Sequence, residues 1–229
     1  MERYYTKYAA AAVRGELKRE GKSGLIPDGL SESELDGLSP EELEGILAVG
    51  VKEGLKLYRF KRSDRTLPRV HKVLGFLKGI YFDSLLDVGS GRGVFLLPFL
   101  EEFPYTEVAS LDILDKRVQM LRDISSGGVS RLTVRQESIC DTALPDKSFS
   151  VVTMLEVLEH IPDVKEAIRQ AVRVARDYIV LTVPSKEDDN PEHIHLLTKE
   201  KLTHYFNDCG VSRLSFDGVP GHLFMIGRL

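Results

Sequence analysis

The sequence predicts an α/β fold built on a mostly parallel sheet and preceded by a helical extension. Three observations carry this. From Ser84 onward, short apolar runs alternate with helical patterns, which is the grammar of βαβ units. The first of those runs passes directly into the glycine-rich stretch LDVGSGRG (86–93) and then into a helical pattern. Before Ser84 the periodicity is helical only. A chain of 229 residues is long enough for one such domain with an appendage.

In chain order, Tyr5, Tyr8, Ala9, Ala12 and Val13 form an apolar stripe that stops before Gly21. Ser31 to Glu34 and Ser39 to Glu42 both have capping-box spacing, and each predicts a helix start. After Ser39-Pro40, the residues Leu43, Ile46, Leu47, Val51, Leu55 and Tyr58 continue one apolar face. A polar break, KRSDRT, then leads to an amphipathic helix carrying Val70, Val73, Leu74 and Leu77 and stopped near Gly79. The expected division is a helical extension or cap over 1–66 and an α/β domain over 67–229. Strands are expected at 84–88, 107–113, 131–136, 149–155 and 178–183, and helices at 94–102, 115–125 and 163–175. Pro98 falls inside the first of these helices and predicts a kink there. A further helix starts after Thr198 and stops at Gly210, and the tail SRLSFDGVPGHLFMIGRL reads as an antiparallel pair.

Bulk properties narrow the function classes. The net charge is −4 and the basic residues are scattered, which argues against tight non-specific attachment to a phosphate backbone. The basic-aromatic run Lys56 to Arg62 reads as a solvated helix end, with contact to an anionic substrate or RNA as the alternative. The two cysteines, Cys140 and Cys209, are far apart, so neither a disulfide framework nor a thiolate zinc site is expected, and the cytoplasm is the default compartment. No signal peptide and no stretch of membrane-spanning length is read, so no membrane partner is expected.

The turn Gly89-Ser90-Gly91-Arg92-Gly93 supplies glycines where backbone bends with positive φ and a ligand lies against it without intervening Cβ atoms. Asp87 stands just before it. A carboxylate there is poorly placed for a pyrophosphate and suits an ammonium. Asp112 ends the next strand about 20 residues on, where a carboxylate can accept both hydrogen bonds of a ribose diol.

Together, Asp87, the GxGxG turn, Asp112 and the Leu-Pro-Asp-Lys-Ser-Phe run (144–149) before an apolar fourth strand resemble the class I S-adenosylmethionine-dependent methyltransferases. The resemblance covers about residues 68–229. It implies a Rossmann-like, doubly wound, mostly parallel seven-stranded sheet with an antiparallel last strand, and S-adenosyl-L-methionine as cofactor. It also implies that Asp87 meets the methionine amino group, Gly89 and Gly91 approach the cofactor, Asp112 binds the ribose, and Ser138 and Ile139 flank the adenine. Where the family commonly carries Asp for the adenine amino group, this chain has Ser138 beside Glu137.

TMLEVLEHIPD (153–163) leaves the carboxyl end of a strand, where open α/β sheets place their ligands. The i, i+3, i+4 spacing of Glu156, Glu159 and His160 predicts that they share one helical face. In the plainer reading, Glu156 is a pocket residue, Glu159 is solvated and His160 packs at a helix entrance, as in the E-x-x-E-H run of many small-molecule methyltransferases. In the sharper reading, the excursion 184–198 folds back and His193 joins Glu156, Glu159 and His160 as ligands of a divalent metal ion. That arrangement resembles the metal-dependent small-RNA 3′-terminal 2′-O-methyltransferases, although their aromatic and basic flanks are absent here. Glu156, His160 and His193 are the candidate catalytic bases, and His71, His204 and His222 read as structural or exposed. The expected activity is methyl transfer, with a small-molecule acceptor preferred to RNA. The alternatives are a metal-dependent RNA ribose 2′-O-methyltransferase and a cofactor-binding regulator without turnover.

Overall fold

In the computed structural model of the chain, which describes residues 3–26, 29–57, 67–187 and 189–229, one seven-stranded sheet carries helices on both faces. The extension supplies α1 (Arg3–Arg19), α2 (Glu32–Gly37) and α3 (Pro40–Lys52), and α4 (Pro68–Lys78) leads into the sheet. Both expected capping boxes form. The Ser31 and Ser39 hydroxyls accept from the Glu34 and Glu42 amides, while each glutamate reaches back to its serine amide. The basic-aromatic run lies mostly outside the described residues.

The sheet comprises β1 (Ser84–Val88), β2 (Glu107–Asp112), β3 (Leu132–Gln136), β4 (Phe149–Leu155), β5 (Ala175–Pro184), β6 (Arg213–Val219) and β7 (His222–Arg228). Their order is β3-β2-β1-β4-β5-β7-β6, and β7 runs antiparallel to both its neighbours. The connecting helices are α5 (Leu96–Glu102), α6 (Asp115–Ser126), α7 (Val164–Val174) and α8 (Lys199–Asp208). Strand order reverses between β1 and β4, so their carboxyl ends open a crevice, the place where such sheets bind ligands. The hairpin between β6 and β7 also lies at that edge, because His222 pairs with Pro184 at the end of β5.

Three expectations are corrected. Pro98 does not kink a helix, because α5 begins at Leu96; the proline lies in the first turn, where the missing N–H has no intrahelical acceptor to lose. There is no loop between α7 and β5, since the helix ends at Val174 and the strand begins at Ala175. The segment after β4 is not an α-helix. Glu156 adopts φ 58°, and only Leu158–His160 form a single 3₁₀ turn, so Glu156 does not share a helical face with Glu159 and His160.

The core has two layers. On one face, Tyr8, Ala9 and Ala12 of α1 pack with Leu74, Leu77, Phe99, Leu121 and Ile124. On the other, Ile168 and Ala171 of α7 and Leu202 and Phe206 of α8 cover Val152, Met154, Ile179 and Leu181. The central parallel strands β1, β2, β4 and β5 are buried on both faces, which explains why their sequences are nearly continuous apolar runs.

Candidate active site

The crevice is a cavity of about 600 Å³ at the carboxyl ends of β1, β2 and β4. Gly89, the first residue of the glycine turn, lines it. Gly89, Gly91 and Gly93 have φ of 68°, 58° and 77°, a region in which an L side chain is strained. A Cβ on Gly89 would come within 2.5 Å of Val157, and one on Gly91 within 2.8 Å of the Arg117 guanidinium. Val157 thus leaves no room for a side chain at Gly89, and positive φ favours glycine at all three positions.

Asp112 lies on the cavity wall and ties the two βα loops together. One carboxylate oxygen accepts from the Gly91 amide and the other from the Leu114 amide, each at 2.9 Å. A carboxylate has about four lone-pair sites, so both oxygens keep capacity for ligand hydroxyls. Beside it, Ile113 and Leu114 expose apolar surface at the cavity, 65% and 49% accessible, an arrangement that suits a flat ring.

Ser138 and Ile139 form the adjoining wall. The Ser138 hydroxyl accepts from the Cys140 amide and starts the 3₁₀ turn Ile139–Asp141, which leaves its proton to donate. Its neighbour Glu137 is turned inward to the Ala143 amide and toward Arg135, and although burial opposes it, these donors hold its carboxyl below the usual range.

Asp87 stands behind this wall rather than on it. It is 3% exposed and takes a 2.7 Å hydrogen bond from the Thr153 hydroxyl. Burial pushes its carboxyl up to about 6, against the opposing pull of the Ser90 and Thr153 hydroxyls.

The four-residue metal set is not assembled. Glu159, His160 and His193 do come together, with one ligand atom from each inside a 4.8 Å span and the two imidazole rings 4.8 Å apart. Glu159 is fully buried instead of solvated. His160 hydrogen-bonds through Nδ1 to the Glu192 carbonyl, and the Glu159 carbonyl accepts from the Ile194 amide, so the excursion after β5 folds back as expected. Glu156 is outside this group. Its positive φ turns the side chain toward β7, where Oε2 lies 3.0 Å from His222 Nε2. Sequence periodicity missed His222 because the contact depends on strand order, which places the start of β7 beside the end of β5. Glu156 and His160 line the cavity, whereas Gly91, Glu159 and His193 do not.

Residues 86–178 match the family described as "methyltransferase domain". Among curated proteins, the chain is 29% identical to the 27-O-demethylrifamycin SV methyltransferase of Amycolatopsis mediterranei, over 60% of this chain and 54% of that protein. It is also 29% identical to the ubiquinone biosynthesis O-methyltransferase of Vibrio campbellii, over 47% of this chain and 46% of that protein. The chain thus spans about half the length of these curated relatives. Among solved structures, an S-adenosylmethionine-dependent methyltransferase from Aquifex aeolicus superposes with a TM-score of 0.59 at 21% identity, covering 74% of this chain and 94% of that one.

Proposed function

We propose, for a chain that is by family and fold a class I S-adenosylmethionine-dependent methyltransferase, methyl transfer to a hydroxyl group of a small molecule. The observation that carries the reading is the cavity lined by Gly89 of the glycine turn and by the Asp112 carboxylate. The curated relatives' names favour oxygen as the acceptor atom and a metabolite as its carrier. We assign 67–229 to the methyltransferase domain and 1–66 to an extension that braces it. No helix among the described residues is long and apolar enough to cross a membrane. The cytoplasm suits a chain whose two cysteines are both free thiols.

The residues present fit the cofactor. Gly89 lets its methionine portion lie against the backbone, Asp112 receives the ribose hydroxyls, and Ile113, Leu114, Ser138 and Ile139 seat the adenine. Asp87 supplies negative charge behind the turn for the ammonium. When bound, the cofactor supplies a sulfonium methyl group. The protein's part is to orient the acceptor hydroxyl in line with that methyl and to take its proton. We assign that role to Glu156 or His160, a reading supported by both side chains lining the cavity.

A second reading rests on Glu159, His160 and His193, whose carboxylate and two imidazoles form a ligand set of the kind divalent ions accept. It predicts that chelation abolishes turnover and that manganese, magnesium or zinc restores it. Activity that persists in excess chelator leaves only the metal-free reading. The main proposal is tested by incubating the protein with methyl-labelled cofactor and a panel of hydroxylated aromatic compounds. Label is expected in an ether product and absent when the same hydroxyl is already methylated. Label appearing in RNA instead would contradict it.

A further inference from the structure

We propose that the cavity between α1, residues 29–31 and the turn after α6 binds a phosphate group, free or carried by a small metabolite. It lies away from the crevice and does not rest on the methyl-transfer reading. Helix α6 ends at Ser126 and β3 begins at Leu132, so the turn between them sits at the amino end of β3, whereas the crevice opens at the carboxyl ends of the strands. The cavity volume is about 520 Å³, inside the range of about 300–1,000 Å³ usual for small-molecule sites.

Charge singles this cavity out. Arg14 and Lys18 line it, one turn apart on α1 and so on one helical face, and among the described residues no carboxylate lines it. The crevice is the reverse, lined by Asp112, Glu137, Glu156, Asp163 and Glu192. Arg14 is 8% exposed, and its Nε donates at 2.9 Å to the Gly127 carbonyl, which fixes the guanidinium at the wall. Helix α1 lies directly on that turn, since a Cβ on Gly127 would fall 1.8 Å from the Ala11 carbonyl oxygen. Glu34, which feels the Arg14 charge, is turned to the Ser31 amide and hydroxyl at 2.7 Å each, and these donors hold its carboxyl below the usual range.

The remaining donors are uncommitted. The exposed Lys18 ammonium has no ion-pair or hydrogen-bond partner among the described residues, and the Ser23 and Ser130 hydroxyls, which also line the cavity, have none either. An arginine fork beside an ammonium and two hydroxyls is a donor set that phosphate oxygens satisfy. A neutral sugar or a cation would leave both positive charges unanswered. Arg14, Lys18 and Ser23 precede the sheet in the chain, while Gly127 and Ser130 belong to it, so a bound phosphate ties the two parts together and favours the folded state by mass action.

The test is calorimetric titration of the full-length protein, in the presence of S-adenosylhomocysteine to fill the crevice, with inorganic phosphate, with ribose 5-phosphate and with ribose as control. Saturable binding of phosphate is expected, and none of ribose. Similar affinities for phosphate and its ester identify the free anion as sufficient, and tighter binding of the ester identifies a phosphorylated metabolite. Lys18→Gln, at an exposed position, is expected to weaken binding at least about tenfold, the loss of one charge-assisted bond, whereas Lys165→Gln on α7 leaves it within about twofold. Nitrogen-15 NMR of the wild-type protein is expected to show the Gly128 and Ser130 amides shifting as phosphate is added, with those of Gly89 and Leu114 unmoved. No saturable binding, an affinity unchanged by Lys18→Gln, equal weakening by the two lysine variants, or shifts at Gly89 in place of Ser130 overturns the proposal.

Discussion

Asp87 is a carboxyl group with almost no water, placed where the reading of the site requires negative charge. Its folded-state pKa, about 6, stands above the ordinary 3.8, so the fold favours the protonated form. The associated stability is full below pH 3.8 and is lost as pH rises through 6, a difference of about 3 kcal/mol at about 1.4 kcal/mol per pKa unit. Asp87→Asn, uncharged at every pH, is therefore expected to melt higher than wild type at pH 7, with the gap closing toward pH 4. It should also bind S-adenosylhomocysteine more weakly, since the cofactor's ammonium loses its counter-charge. A variant that melts lower than wild type at pH 7 would contradict the burial argument. The positions of Asp87, Gly89, Gly91 and Asp112 at the ends of β1 and β2 could be read from the sequence, because each is fixed by its distance from a strand end. The cavity-lining places of Ile113, Leu114 and Arg117 could not, because they follow from how the chain turns from β2 into α6.

At the scale of elements, the extension is not a loose attachment. Arg14 Nε donates to the Gly127 carbonyl at 2.9 Å, Arg131 grips Glu32 with two hydrogen bonds, and Lys7 bridges Asp36 and Glu101. Helices α1 and α6 approach so closely that a Cβ on Gly15 would sit 1.9 Å from the Asp123 carbonyl oxygen. Gly15→Ala is expected to destabilise the protein by roughly 1–3 kcal/mol, the usual range for overpacking. Gly45→Ala, on a face of α3 with nothing within 4 Å, should stabilise it by about 0.5–1 kcal/mol. Equal melting temperatures for the two variants would show that the helices are not packed as described. The apolar stripe on α1 announced that it needed a partner, but the identity of that partner was invisible, because periodicity specifies a buried face and not what covers it. The same limit explains the segment after β4. The i, i+3, i+4 spacing of its charged residues is equally compatible with a helix and with a strained turn, and tertiary contacts to β5 and β7 decided for the turn.

For the whole molecule, the decisive fact is the reversal of strand order between β1 and β4, since it opens the crevice and brings the β6–β7 hairpin to the same edge. The parallel strands and their order of appearance could be read from alternating patterns, whereas the reversal entered only through resemblance to a family. The central claim is that this crevice binds S-adenosylmethionine through the glycine turn and Asp112. The most direct test is calorimetric titration of S-adenosylhomocysteine into the wild-type protein and into Asp112→Asn, with NAD as the control ligand. Hydrogen bonds to a charged acceptor contribute about 1.5–3 kcal/mol each, and about 1.4 kcal/mol is one decade in affinity. The account predicts binding by the wild-type protein, at least tenfold weaker binding by Asp112→Asn, and none of NAD. Equal affinities in the two proteins, or a preference for NAD, would contradict it.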